Sequence, residues 1–190
     1  MNKERRTGSV RKAIVAASLL LVAGCSGGAT TEPPPSPPPT TNEAPVRSAP
    51  AKSIEVPDRC SVVTEPQWRQ LGATDSPRER EVGEGEGIVG CDYSRLNETD
   101  DWQVFVSAVP KPLPELAERT SLREPLDFSG YPAMKRSSGD VDCIIAFDVA
   151  DGGTLLVQSQ VLEGSADPCQ LTSGFAEAAL SNLPDAPGGQ

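Results

Sequence analysis

Residues 143–162 read CIIAFDVADGGTLLVQSQVL. Two aliphatic, β-branched runs, Cys143–Val149 and Thr154–Leu162, flank Ala150-Asp151-Gly152-Gly153, where glycine supplies the positive φ that a tight turn requires. The segment is therefore a β-hairpin, and its two strands seed an antiparallel sheet. Beyond it, Asp167-Pro168-Cys169-Gln170 has the pattern of a helix start, a capping carboxylate followed by proline in the first turn. That helix runs to about Leu183, where Pro184 stops it.

Upstream, alternation marks a further strand. Trp102, Val104, Val106 and Ala108 share one face of a strand over Trp102–Val109, and LNETDD separates it from a second strand over Gly87–Arg95. A further strand is expected around Tyr131–Arg136. Between them Leu113, Leu116 and Ala117 stand at helical spacing in a short helix over Pro112–Thr120. Asp58 opens a helical turn through Cys60 and Val63, and Thr64-Glu65-Pro66-Gln67 starts a helix that Gly72 ends. Arg78 to Gly87 is charged, glycine-rich and without period, and reads as an exposed loop. Helices at both ends with consecutive strands between them predict an α+β domain over residues 57–185. It is a single antiparallel sheet of about four to five strands packed by N- and C-terminal helices, followed by a disordered tail at 186–190.

The chain before this domain differs in kind. Lys3, Arg5, Arg6, Arg11 and Lys12 precede the apolar run Ala13–Ala23, which has the length of a signal peptide core and is too short to span a bilayer. Val22-Ala23-Gly24-Cys25 then places two small residues before a cysteine, the arrangement of a lipoprotein signal peptide over residues 1–24 with lipid added to Cys25. A diacylglycerol anchor on Cys25 holds a protein at a membrane far more firmly than one fatty acid. From residue 25 to 56 nine prolines through Pro57 and many threonines leave nothing to bury, which predicts a disordered tether with polyproline character at Pro33–Pro39.

With Cys25 assigned to lipid, Cys60, Cys91, Cys143 and Cys169 remain, an even number in an exported chain, implying two disulfides. Three pairings are open in principle. Cys60–Cys91 with Cys143–Cys169 is favoured, because each then ties a terminal helical segment to a nearby strand. None of the four lies in a Cys-x-x-Cys pair, and the absence of histidine removes the usual complementary zinc ligands.

That absence also excludes Ser-His-Asp and Cys-His catalysis. After the leader the lysines are Lys52, Lys111 and Lys135, and no Ser-x-x-Lys follows it. Asp140 with Asp142, or Asp148 with Asp151, are candidate acid and base pairs for glycoside cleavage, though solvated turns account for them more simply. The acidic turns LNETDD and Asp148–Gly153 lack the alternating ligands of an EF-hand loop. Gly83-Glu84-Gly85-Glu86-Gly87 has the glycines of a phosphate loop, but its carboxylates repel phosphate and no lysine follows. Trp68 and Trp102 read as core residues. The formal charge is −10 over 190 residues, and a chain without its leader stands about four charges more negative, so nucleic acid is a poor partner. Neutral or cationic ligands suit it better.

The order of these features resembles an uncharacterised family of actinobacterial envelope lipoproteins that includes the mycobacterial LprB and LprC. The features are the lipidated leader, the Pro/Thr-rich tether, Asp58-Arg59-Cys60-Ser61 with a helix ending in Leu71-Gly72, Gly90-Cys91 entering a strand, and Asp167-Pro168-Cys169 before an alanine-rich helix. The early segment reads Asp-Arg-Cys where such sequences often have Asp-Pro-Cys. The resemblance implies an envelope location and disulfides, and it carries no shared catalytic motif.

Together these observations imply a lipid-anchored module on the extracytoplasmic face of the cell membrane, non-enzymatic and without cofactor, that binds an envelope protein or small ligand. A carboxylate-based cell-wall hydrolase and a purely structural envelope component are the rival expectations.

Overall fold

The computed structural model describes residues 46–83 and 87–187. The expected signal peptide, Cys25, the tether up to Pro45, the centre of the Gly83–Gly87 loop and the last three tail residues lie outside the described residues. Among the described residues no helix is long and apolar enough to cross a membrane.

The elements in chain order are a 3-10 turn Arg59–Ser61, α1 (Glu65–Gln70), β1 (Arg78–Val82), β2 (Ile88–Leu96), β3 (Asp101–Val109), α2 (Leu113–Thr120), β4 (Glu124–Phe128), β5 (Tyr131–Ser138), β6 (Asp142–Ala150), β7 (Gly153–Glu163) and α3 (Pro168–Asn182). The α+β class and the single antiparallel sheet stand as expected. The sheet has seven strands, however, in the order β1-β2-β3-β7-β6-β5-β4. The two additional strands are its edges. β1 reads REREV, whose charges hid it within an apparent loop, and β4 contains Pro125. An edge strand has one pairing partner and needs no apolar period, and charges or proline there discourage pairing with another chain.

Local chemistry explains the caps. Asp167 accepts from the backbone N–H groups of Cys169 and Gln170 at 2.8 and 3.1 Å, and Gln67 Oε1 accepts from the Thr64 N–H at 2.9 Å. Ser129 and Gly130, both at positive φ, turn β4 into β5.

One face of the sheet packs against α3 and α1. Tyr93, Trp102, Val104, Ile145, Phe147, Leu155 and Val157 meet Phe175, Ala176 and Ala179 there in one buried cluster. Phe175 packs against Tyr93 with ring centroids 5.2 Å apart and planes tilted by 44°, and it meets Trp102 edge-on at 6.2 Å. Two disulfides, Cys60–Cys91 and Cys143–Cys169, pin this face to the segments that cover it. Both are the favoured pairs.

Residues 46–56, placed in the tether by composition, are a strap laid across one end of the sheet. Ser48 and Ala49 donate to the Gly130 carbonyl at 2.9 and 3.1 Å, Lys52 N to the Val149 carbonyl at 2.7 Å, and Ser53 N to the Pro184 carbonyl at 2.7 Å. Ile54 lies against Gly153, where a Cβ would come within 2.8 Å of its Cγ2. The fold thus takes in residues ahead of Pro57. Backbone groups and a few scattered side chains make these contacts, so composition could not reveal them. At the other terminus, Ala186 N donates to the Ala51 carbonyl at 2.8 Å.

Candidate functional site

The opposite face of the sheet is covered by one short helix. α2 lies in the connection that carries the chain from β3, in the middle of the sheet, to β4 at its far edge. Eight residues of helix are about 12 Å long, too little to cover that face. Leu116, buried completely, packs with Leu113, Ala117 and Leu122 over Ile144, Ala146 and Leu156.

Between α2 and the β4–β5 edge a cleft of about 400 Å³ stays open. Leu113, Pro114, Ala117 and Leu122 form its helix side, and Pro125, Pro132 and Met134 its sheet side. Its polar rim is Glu118, Arg123 and Asp148. Arg123 Nη1 donates to the Leu122 carbonyl at 2.9 Å, and Ser121, at φ 57, ends α2 beside it. Asp148 is held by the strap, with Arg47 Nη1 at 3.0 Å, while Arg47 Nη2 reaches Asp151 at 2.6 Å. Burial holds the Asp148 carboxyl above the usual carboxylate range, against the pull of Arg47 and with a push from Asp151.

Beyond α2 the same face is polar. Register aligns Ser94, Gln103, Gln160, Asp142 and Ser138 across five strands. Gln103 Nε2 donates to Gln160 Oε1 at 2.8 Å, Ser94 Oγ to Asp75 Oδ2 at 3.0 Å, and Arg136 stands 3.5 Å from Asp142. In the neighbouring row Asp92 is buried at 3 % exposure. Arg80 Nη2 lies 3.1 Å from its Oδ1 without hydrogen-bond alignment. Desolvation raises the Asp92 carboxyl, with Arg80 and Arg78 opposing. Phe105 lies beneath the Arg80 guanidinium at 5.5 Å, in room that Gly90 provides, since a Cβ there would meet the ring at 2.6 Å.

The carboxylates singled out from sequence come together only in part. Asp148 and Asp151 share Arg47, and Asp142 faces Arg136. In the turn after β2, Asn97 Oδ1 accepts from Thr99 N at 3.0 Å and Asp100 N at 2.8 Å, a local turn cap. Among the described residues no group of three or more acidic or cysteine side chains is arranged to hold a metal ion. Trp68 and Trp102, at 5 % and 3 % exposure, belong to the core. The cleft escaped sequence reading, because Leu113 and Ala117 carry the same helical period whether a helix covers a sheet fully or in part. The signal that could have led to its far wall is Ser129-Gly130, a turn dipeptide between two short β runs.

A model of a family of proteins of unknown function, DUF3558, matches residues 20–182, most of the chain. The chain belongs to DUF3558. The match spans every element from the 3-10 turn to the end of α3, so both faces of the sheet are part of the DUF3558 unit. No curated protein matches this DUF3558 chain, and no solved structure does.

Proposed function

We propose that this chain is a cell-envelope lipoprotein, held at the extracytoplasmic face of the cell membrane by lipid on Cys25. Its folded domain binds a neutral or cationic ligand or an envelope partner and performs no chemistry. The observation that carries the binding reading is the apolar cleft of about 400 Å³ between α2 and β5, a concave apolar surface with a few polar groups at its rim. The leader and Val22-Ala23-Gly24-Cys25 support the anchor. Two disulfides agree with an oxidising compartment. The resemblance to actinobacterial envelope lipoproteins such as LprB and LprC belongs to the same proposal, and it rests on the order of the leader, tether and cysteine segments.

A hydrolase is the weaker reading, because Asp148 and Asp151 are engaged by Arg47 as a clamp on the strap.

Metabolic labelling with an alkyne fatty acid tests the anchor. Label should enter the intact chain and vanish in Cys25→Ala, which should leave the membrane fraction; an unlabelled chain that stays with the membrane refutes the anchor. A photo-crosslinker at Glu118, on the cleft rim, should capture a species that one at Gln67, beside α3, does not. Equal capture at both positions counts against the cleft.

A further inference from the structure

We propose that the α2–β5 cleft takes a single acyl chain carrying an uncharged head group. This rests on the envelope-module reading and names the ligand class for its site.

Size is the first reason. A volume of about 400 Å³ holds on the order of a dozen heavy atoms, at roughly 30 Å³ each by the share of a water molecule in the liquid. A peptide helix, about 10 Å across, displaces several times that over three turns. A proline-rich segment such as Pro33–Pro39 would need the aromatic-lined groove by which polyproline helices are recognised, and the cleft contains no aromatic side chain. One unbranched chain of about twelve carbons fits the space.

Chemistry is the second. Leu113, Ala117 and Leu122 face Pro125, Pro132 and Met134, and an apolar lining of this kind favours each methylene that it takes from water. Met134, partly exposed and unbranched, can adapt to the chain. At the rim one arginine, Arg123, stands with Glu118 and with Asp148, the latter neutralised by Arg47. On a chain of net charge −10 this favours a neutral head over a carboxylate.

Position is the third. Asp148 lines the cleft and also takes Arg47, the second described residue of the strap, so the chain leading back to Cys25 joins the domain beside the cleft mouth. Twenty residues, 26–45, separate Cys25 from Val46. They span at most about 70 Å. That bound keeps the mouth near the membrane surface from which an amphiphile would come.

The test uses the secreted full chain with Cys25→Ser, which carries no acyl group of its own. Titration with monolauroylglycerol, below its aggregation concentration, is followed by calorimetry and by chemical shifts of the Met134 methyl. Saturable one-site binding is expected. It should weaken at least tenfold in Met134→Trp, which fills the cleft, and in Pro114→Trp at its exposed mouth. Leu162→Ser, which removes an apolar side chain on the exposed surface away from the cleft, should change it less than twofold. Laurate, with the same chain and a charged head, should bind several-fold more weakly, and added salt should narrow that gap.

Absence of saturable binding by a folded chain overturns the acyl ligand, whereas the envelope-module reading would fall separately, on the Cys25 labelling and the Glu118 crosslink. Binding that survives both tryptophan variants, or is lost in Leu162→Ser, moves the ligand out of the cleft. Laurate binding as tight as monolauroylglycerol overturns the neutral head.

Discussion

Against the face that α3 covers, Phe175 is fully buried between Tyr93 and Trp102, and two disulfides lock the covering segments to the sheet. Against the opposite face, eight residues of α2 bury Leu116 but leave a cleft on one side and a polar row on the other. Among the described residues the disulfides and the ring-on-ring contacts lie on the α3 side, whereas Phe105 on the α2 side is buried beneath the Arg80 guanidinium. The difference teaches that this domain is stabilised chiefly from its α3 face, which frees the α2 face to carry an open cleft and a polar row.

The largest test of that contrast is core truncation. Phe175→Ala should cost about 3–5 kcal/mol in urea unfolding, because a large ring leaves a cavity bounded by a disulfide-held helix. Leu116→Ala should cost about 2–3 kcal/mol, since α2 can settle toward the open cleft. Equal losses would mean that both faces are packed alike. Next, the paired change Cys143→Ala with Cys169→Ala removes a link across 26 residues and should cost about 3.5 kcal/mol by the loop-entropy estimate.

A third test concerns Asp92 on the polar side. Its carboxyl is raised by burial, so the folded chain holds that proton more tightly than the unfolded one. The contribution is therefore most favourable below the ordinary carboxylate range and is lost as pH rises through the elevated folded value. Asp92→Asn, which mimics the protonated form, should be at least as stable as the native chain at neutral pH, and its advantage should close on acidification. Urea midpoints across the acidic range check this, and an advantage that grows toward low pH would contradict it. The smallest expected effect is at the strap. Arg47→Ala removes a partly exposed pair with Asp148 and should cost only about 0.5–1 kcal/mol globally. It should nonetheless speed proteolysis within residues 46–56, and unchanged cleavage there would mean that the backbone bonds to Gly130 and Val149 suffice.

Legibility in the sequence followed the strength of local signals. The β6–β7 hairpin announces itself by two β-branched runs around Gly152, at φ 76, and α3 by the Asp167 cap and Pro168. β1 and β4 do not, because a strand with one neighbour can be charged or carry proline and still pair. The strap is still less visible, since Arg47 and Lys52 look like ordinary tether residues until Asp148 and Asp185 are brought beside them.

What the sequence by itself determined is the α+β class, the helix starts and the expectation of two disulfides, all of which depend on neighbours within a few residues or on a count. The seven-strand order, the strap and the cleft were decided only in three dimensions. A cleft is the space left between α2 and β5, which are distant in the chain. Its existence depends on how far a short helix reaches across a sheet whose width no local period encodes.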